Sequence, residues 1–382
     1  MKINKNIIGL WFVSFFTDLA SSMTVPLIPI YIVYILNQNI EQLWYVVAIT
    51  TFVSYIFRIW FGYLADKYRL TKLFLVLWYT ISAISKPLFY FTNSWQWISI
   101  VRSSERLWKA IRAASKDSVI SRYAKKNKWW VTFWFHKMMD VFWEFLWAFL
   151  LFLILYYVWY NEEIIKNIFI FTAVPWVLAI ITVIFFVEDA PYKTKKSEYK
   201  FNKKDYKLFP IILTYLFFLF FIFNDSFLLI QAKEIWYEIY MLPLFIVVLN
   251  LVQVLISYFS WLKIDKFWSV NVLFVSFVFW ILTQISLYFN FIWVSFLLLW
   301  IFTILSINSI RTYISDNAEN KSTMYWIFYA WVALTTSLWA LFVSYMWNNY
   351  GVVNSILITL IWMIITLIMW FMYNKKLIKS IN

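Results

Sequence analysis

Long apolar runs, each about 20 residues long, constrain this chain more than any other feature. Short polar connections separate them, and hydrophobic residues make up 64% of the sequence. A soluble domain of 382 residues could not bury that much apolar surface, so the pattern predicts an integral membrane protein. The runs show no two-residue alternation, which favours transmembrane helices over a β-barrel.

The apolar runs predict twelve membrane-spanning helices. Their approximate ranges are 7–36, 43–61, 73–92, 96–115, 130–158, 165–187, 208–230, 237–260, 268–289, 291–313, 323–347 and 351–373. The charged segment 188–207 has no apolar period and is suited to be a linker. It divides the chain into an N-terminal six-helix bundle at 1–187 and a C-terminal six-helix bundle at 208–382. The predicted fold is an all-α membrane protein with two pseudo-symmetric bundles.

Basic residues lie mainly in alternate connections between the predicted spans, and the net charge is +14. Under the positive-inside rule, this distribution places both termini on the cytoplasmic side of the inner (cytoplasmic) membrane. Charges confined to short loops indicate membrane topology, so we expect a lipid bilayer and no nucleic acid as the partner. The first apolar run has no small-residue cleavage site, and we expect a retained span there, not a signal peptide.

One eight-residue segment occurs in two similar copies, half a chain apart. The copies are 62–69 (GYLADKYR) and 261–268 (WLKIDKFW), and they align without a gap at an offset of 199 residues, from Asp66 to Asp265. The other aligned positions of interest are Gly62 with Trp261, Lys67 with Lys266, and Arg69 with Trp268. A second pair, FTD at 16–18 and FND at 223–225, follows the same order. Two ordered matches predict a parallel internal repeat.

The first copy, Gly62-x-Leu64-Ala65-Asp66-Lys67, resembles the loop signature of the major facilitator superfamily. Residues 13–148 are similar to one bacterial subgroup of it. The motifs there are Ser14 to Asp18 followed by Pro26 and Pro29, Glu105-Arg106-Leu107 with Lys109 and Arg112, and Phe133 to Asp140. The resemblance implies the fold of that superfamily and a secondary transporter that works by alternating access.

The repeated segment is also the predicted cytoplasmic gate. The gate residues are Gly62, Asp66, Lys67, Arg69, Trp261, Asp265 and Lys266. Asp66 can accept backbone N–H groups from a helix N-terminus in the other bundle, where the helix dipole favours a carboxylate. Such a contact would stabilise the outward-facing state and break in the other state. The family has glycine where Arg69 stands, so the turn differs here.

Ionisable side chains concentrate in the predicted fourth span, where each is a functional candidate. Five of them lie within about a third of the helix circumference: Arg102, Glu105, Arg106, Lys109 and Arg112. One interpretation is an internal ladder of ion pairs, with Glu105 bound to Arg102 or Lys109. The other is a site for an anionic partner, because cations outnumber the carboxylate. The family resemblance implies that Arg102 helps to couple proton movement to the substrate.

The predicted fifth span carries His136, Asp140, Trp143 and Trp147 on one stripe. Asp140 and the nearby Glu144 could supply a carboxylate that titrates during transport. A lone histidine is more often structural than a proton carrier, and His136 is the only one in the chain. With glycine at 143 and 147 the stripe would resemble the span-five motif of proton-driven antiporters, although that motif has proline where Ala148 stands.

Two aspartates occupy repeat-related positions in the first and seventh spans. Asp18 lies near the bilayer midplane, and Asp225 is its partner. Facing carboxylates of this kind mark substrate and coupling-ion sites in repeat-built transporters. The alternative is that Asp18 caps a helix broken by Pro26. Asn250 and Arg311 are further candidates in the second half.

The chain has 26 Trp and 3 Gly, whereas membrane helices are usually rich in glycine and carry tryptophan at the two interfaces. Trp261 stands where the first copy of the repeat has glycine. Trp143 and Trp147 stand four apart, where small residues would allow close helix contact. We interpret many of these tryptophans as glycine in the living protein, through a UGA codon decoded as glycine. The alternative is an unusually aromatic protein; Trp95 and Trp347, near outer span ends, fit genuine tryptophan.

The sequence contains no cysteine, no phosphate-binding loop, no metal-binding cluster and no nucleophile constellation. We therefore expect no cofactor, no metal and no enzymatic activity. The expected function is movement of a small-molecule substrate by a monomeric secondary transporter, coupled to protons and directed toward efflux. The alternative is a transporter-like membrane receptor or assembly partner that carries no flux. Ionisable residues within both halves distinguish the two, because a scaffold does not need them.

Overall fold

The computed structural model describes residues 5–68, 72–108, 129–158, 161–186, 203–223, 225–250, 252 and 269–381. Every regular element within these ranges is a helix, which confirms the predicted all-α class. Seven helical stretches of the described chain are long and apolar enough to cross a membrane. The count of twelve spans stays a prediction. Large apolar side chains such as Phe91, Phe185 and Phe371 are exposed, as expected of helix surfaces that face lipid.

The described chain divides into two compact units, the first formed by 1–197 and 229–251 and the second by 198–228 and 252–382. The predicted bundles, 1–187 and 208–382, stay a prediction. Helices of the first unit are α1 (Lys5–Thr24), α2 (Leu27–Ile30), α3 (Ile40–Tyr68), α4 (Lys72–Ser85), α5 (95–108), α6 (Trp129–Val158), α7 (Glu162–Phe171) and α8 (Ala173–Phe186). Two further helical segments belong to it, a short 3-10 helix at Ile239–Met241 and α11 (242–250).

The remaining helices build the second unit, except that α10 (Asp225–Glu234) begins in the second unit and continues into the first. A 3-10 helix at Lys203–Leu208 precedes α9 (Phe209–Phe220). The others are α12 (Ser269–Tyr288), α13 (Ile292–Asn317) and α14 (Lys321–Ile381). Gly351 interrupts α14 with φ of 75°, a left-handed conformation that glycine adopts without strain. This turn separates the predicted spans 323–347 and 351–373.

Several predicted spans are interrupted. The first span changes at Pro26, where α1 has ended and α2 leads into a π-helix at Tyr31–Ile35, because proline cannot donate the helical hydrogen bond. The seventh span is interrupted between α9 and α10 without a proline. The prediction of a turn at 62–69 is wrong for Gly62 to Tyr68, because these residues are helical in α3.

The apolar core of the first unit joins three helices. Its buried residues are Val13 and Ala20 of α1, Tyr79 and Ala83 of α4, and Trp176, Ala179 and Val183 of α8. The rings of Tyr79 and Trp176 lie 6.1 Å apart. This core packs α1 against the end of α4, and Lys86 follows directly after that end.

Candidate functional site

Lys86 lies at the junction between α4 and a 3-10 helix at Pro87–Phe91. The proline that follows it disfavours a continued α-helix at Lys86 and ends α4 at Ser85. The lysine side chain is only 1% exposed, and a lysine is almost never this deeply buried without partners. The burial of Lys86 therefore indicates that polar or charged partners surround it among the apolar helices.

Lys86 contacts side chains from three different helices. Its Nζ donates a hydrogen bond to Ser21 Oγ of α1 at 2.6 Å. The same atom lies 3.6 Å from Glu105 Oε1 of α5 and 5.3 Å from the ring centroid of Trp176 of α8, within range of a cation–π contact. Glu105 Oε2 also binds Nη1 of Arg102, one turn earlier on α5. We call Lys86, Arg102 and Glu105 the charge cluster.

The charge cluster contains two cations and one carboxylate, and its members are between 1% and 5% exposed. Burial of an ion is costly, and opposite charges offset that cost only with good geometry and further hydrogen bonds. Glu105 provides the only negative charge within the cluster and bridges both cations. A change in the charge of Glu105 would therefore alter both ion pairs together.

Asp18 and Arg106 lie on the same two helices as cluster partners. Asp18 is buried in α1, one turn before Ser21. It lies inside the helix and six residues before its end, so the interpretation of Asp18 as a helix cap is wrong. Thr17 and Ser21 instead bond to carbonyl oxygens of their own helix. Arg106 follows Glu105 and is half-buried.

Another polar contact within the first unit joins distant parts of the sequence. Tyr34 of the π-helix donates from its hydroxyl to Glu234 Oε1 of α10 at 3.0 Å. Tyr240 packs against Phe152 and Tyr156 of α6, with centroids 6.2 Å and 5.4 Å apart. These contacts link the ends of the predicted first and fifth spans to the seventh and eighth.

The structure brings part of the predicted site together. Arg102 and Glu105 form the predicted ion pair, and this pair belongs to the charge cluster. Glu144 is half-buried on α6. His136 and Asp140 lie on α6, but their side chains are outside the described part of the chain.

Candidates of the second half do not join a common site in the described residues. Asp225 begins α10 and is half-buried. Asn250 is buried, and its Nδ2 has no acceptor among the described residues. Arg311 is exposed; its Nε donates to the hydroxyl of Tyr329 at 2.7 Å, which ties α13 to α14.

Most of the predicted gate is outside the description. Gly62, Asp66 and Lys67 lie within α3 without described side chains. The other four gate residues, Arg69, Trp261, Asp265 and Lys266, are outside the described ranges.

Sequence reasoning missed Lys86. The signal was available, because Lys86 lies inside the apolar run 73–92 and an ionisable residue within a span is a functional candidate. The prediction considered only the five charged residues of the fourth span. Lys86 nevertheless supplies a second cation to Glu105 of that span. Gln284 was missed as well: it is fully buried in α12, and neither amide atom has a partner in the described chain.

Comparison with protein families gives a match over most of the chain. The sequence model of the Major Facilitator Superfamily matches residues 10–340. A curated relative, an uncharacterised MFS-type transporter of Methanocaldococcus jannaschii, is 34% identical over 126 residues. That alignment covers 33% of this chain and 31% of the relative, so the match spans about a third of each protein.

Comparison with solved structures gives matches over nearly the full length. A mutant form of the nucleoside transporter NupG has a TM-score of 0.79 at 12% identity, covering 96% of this chain and 99% of that one. A POT family transporter in complex with 5-aminolevulinic acid has a TM-score of 0.78 at 11% identity, covering 97% and 96%. The xylose transporter XylE from E. coli has a TM-score of 0.70 at 12% identity, covering 96% of each chain. At such identities the likeness shows the fold alone.

Proposed function

The chain belongs to the Major Facilitator Superfamily and is a multi-pass membrane transporter, not an enzyme. From that premise we propose that it is a secondary active transporter. In this proposal it works by alternating access and couples protons to the movement of a small solute. The observation that carries the coupling is the charge cluster. A carboxylate that bridges two buried cations can change both contacts when it gains a proton. Ionisable groups of this kind inside spans mark ion and proton pathways in transporters.

The proposed coupling step is the protonation of Glu105. In its charged form Glu105 bridges Arg102 of the same helix and Lys86 at the end of α4. Protonation removes the negative charge and weakens both ion pairs, so that the two cations can take other anionic or polar partners. Binding of the proton to Glu105 therefore breaks contacts that the charged form makes. A conformation that depends on those contacts becomes less stable, and the other conformation is favoured. Asp18, Asp140 and Glu144 are further proposed proton sites.

The proposed alternating access needs contacts that break on each side of the membrane. On the outer side we assign this role to the hydrogen bond between Tyr34 and Glu234, which joins the end of the first span to the seventh. On the cytoplasmic side we keep the repeated segment at 62–69 as the gate. The orientation, with both termini in the cytoplasm of a cell bounded by the inner membrane, and the monomeric state belong to the same proposal.

Export is the proposed direction, on the resemblance of 143–148 to the span-five motif of antiporters. The solute is a small molecule of a class still to be identified by screening. Solved transporters of this fold carry the names of nucleosides and xylose, and one binds 5-aminolevulinic acid. A first panel of nucleosides, sugars, amino acids and short peptides therefore covers the chemistry of these neighbours.

The test uses purified protein in liposomes loaded with a pH-sensitive dye. The panel is first screened for compounds that raise the melting temperature, and active compounds are then tested for solute-driven proton flux. Glu105→Gln should abolish the flux driven by a pH gradient, because a glutamine cannot carry the proton. The same variant should still exchange labelled for unlabelled solute across the membrane, since exchange at equal pH needs no net proton transfer.

The matched control is Glu162→Gln, which removes the half-exposed acid from the Lys166–Glu162 ion pair outside the cluster. It should retain both solute-driven proton flux and exchange. Wild-type proton coupling in the Glu105→Gln variant would overturn the coupling assignment. A wild-type protein that binds a panel compound but neither exchanges it nor moves protons would support the alternative of a transporter-like receptor.

A further inference from the structure

Buried indole Nε1 atoms without a hydrogen-bond acceptor among the described residues include those of six tryptophans: Trp143 and Trp147 of α6, Trp280 of α12, Trp300 of α13, and Trp339 and Trp370 of α14. The buried indoles of Trp11, Trp44 and Trp176 have other interactions and are not counted with these six. A buried tryptophan usually finds a partner for its N–H, and native proteins leave few buried polar groups without one. Six failures of the same atom type indicate that the side chain itself does not belong at these positions.

The crossing of α1 and α6 contains two of the six. The ring of Phe15 on α1 lies 4.5 Å from the ring of Trp143 and 5.2 Å from that of Trp147. The two tryptophans are four residues apart and therefore share one face of the helix. Small residues at this spacing let two membrane helices approach backbone to backbone. Here three large rings occupy the place of that contact.

The two glycines whose surroundings the structure describes, Gly9 and Gly351, stand where a side chain would be strained. A Cβ added to Gly9 of α1 would lie 2.8 Å from the carbonyl oxygen of Phe186 in α8, which is too close for any other residue. Gly351 has φ of 75°. Helix contacts that need glycine are thus present in this fold, yet the whole sequence has 3 Gly and 26 Trp.

Other tryptophans have surroundings that suit the indole. Trp347 packs edge-on against Phe227, with ring centroids 4.2 Å apart. Trp95 lies at the start of α5, half-buried, 5.7 Å from the ring of Tyr45. Interfacial positions of this kind are typical of tryptophan in membrane proteins. Ring contacts alone do not separate these tryptophans from the six, because Trp370 also packs on Phe274 with centroids 5.0 Å apart. The buried indole N–H without an acceptor among the described residues is what distinguishes the six.

We propose that the protein made in the cell has glycine at the six positions, because their codon is UGA and the cell decodes UGA as glycine. Trp261 belongs to the same population, since its repeat partner is Gly62. Trp95 and Trp347 are encoded by UGG and are genuine tryptophan. With glycine at 143 and 147, α1 and α6 form a close helix crossing on the stripe that carries Asp140. The inference does not depend on the transport mechanism.

The direct test reads the gene and the protein. The codons at 143, 147, 280, 300, 339 and 370 should be UGA, and those at 95 and 347 should be UGG. Mass spectrometry of the tryptic peptide 138–166, from membranes of the source organism, should show glycine at 143 and 147. UGG codons at these two positions, or tryptophan in that peptide, would overturn the inference.

An independent test compares two purified chains, one with tryptophan and one with glycine at all six positions. The glycine chain should melt at a temperature higher by about 5 °C or more, because large side chains no longer overfill the helix crossings. The matched control is Trp347→Gly alone, which should lower the melting temperature by removing a packed ring. A glycine chain that melts below the tryptophan chain would contradict the packing argument and the inference with it.

Discussion

Buried charged side chains have different kinds of partner in the two units of the molecule. In the first unit Lys86, Arg102 and Glu105 lie inside the apolar helices and bind one another through side chains. Among the described residues of the second unit, Asp205 is the one buried side chain of the Asp, Glu, Lys and Arg types. Its carboxylate accepts backbone N–H groups from Glu319 at 2.8 Å and from Asn320 at 3.4 Å, just before α14 begins.

Asp205 carries what we call a fixed charge, whose partners do not change, whereas Glu105 carries an exchangeable charge, whose partners can change. The partners of Asp205 are backbone amides at a helix N-terminus, which stay in place as long as the helix does. The partners of Glu105 are two side-chain cations that can rotate toward other groups. Within the described helices α12 and α13 of the second unit, buried polar contacts such as Ser286–Ser295 at 2.7 Å join neutral groups. We therefore expect proton coupling to depend on the first unit and structural integrity on both.

The largest expected effect is loss of the shared carboxylate. Glu105→Gln removes the carboxylate that both Lys86 and Arg102 contact, which should lower the free energy of unfolding by about 3–5 kcal/mol. Lys86→Met should cost less, about 1–2 kcal/mol, because the Arg102–Glu105 pair remains balanced. Denaturant unfolding in detergent measures both. The reverse order of the two variants would contradict the assignment of Glu105 as the bridge.

A smaller effect is expected from the fixed charge. Asp205→Ala removes the acceptor for two backbone N–H groups ahead of α14 and should lower the free energy of unfolding by about 1–2 kcal/mol. Coupling of protons to solute should not change. A shift in the pH dependence of transport in this variant would show that the charge of the second unit is also exchangeable.

Replacement of a neutral buried amide should be nearly without cost. Gln284→Leu removes two polar atoms that have no partner among the described residues, so stability should change by less than about 1 kcal/mol, or rise. Thermal unfolding at fixed lipid content checks this expectation. A large loss would show that Gln284 serves a bound molecule or a partner in the rest of the chain.

The smallest effect is expected from a charge pair near the surface. Lys166 and Glu162 lie 2.7 Å apart on α7, and their side chains are 20% and 54% exposed. Glu162→Gln should change stability by about 0.5 kcal/mol or less, and the difference should shrink further with added salt. A cost close to that of Glu105→Gln would remove the contrast between buried and exposed pairs.

Local spacing predicted some of these features and could not predict others. The Arg102–Glu105 pair follows from two residues one turn apart on a helix, and the membrane class follows from the apolar runs. Lys86 binds Ser21, 65 residues away, and Tyr34 binds Glu234, 200 residues away. Such contacts depend on how helices pack and not on any local period. No proline lies at the interruption between α9 and α10, so the sequence does not predict it. Pro26 does predict the interruption of the first span.

The contact between Lys86 and Glu105 also bears on how the chain enters the membrane. A lysine near the centre of a single apolar helix costs about 2.5–3.5 kcal/mol during insertion at the translocon. The predicted third span, 73–92, carries Lys86 and would meet that cost if it left the translocon alone. Its partner carboxylate arrives with the next span, 96–115. Spans three and four should thus enter the lipid together, as a hairpin in which Lys86 already faces Glu105.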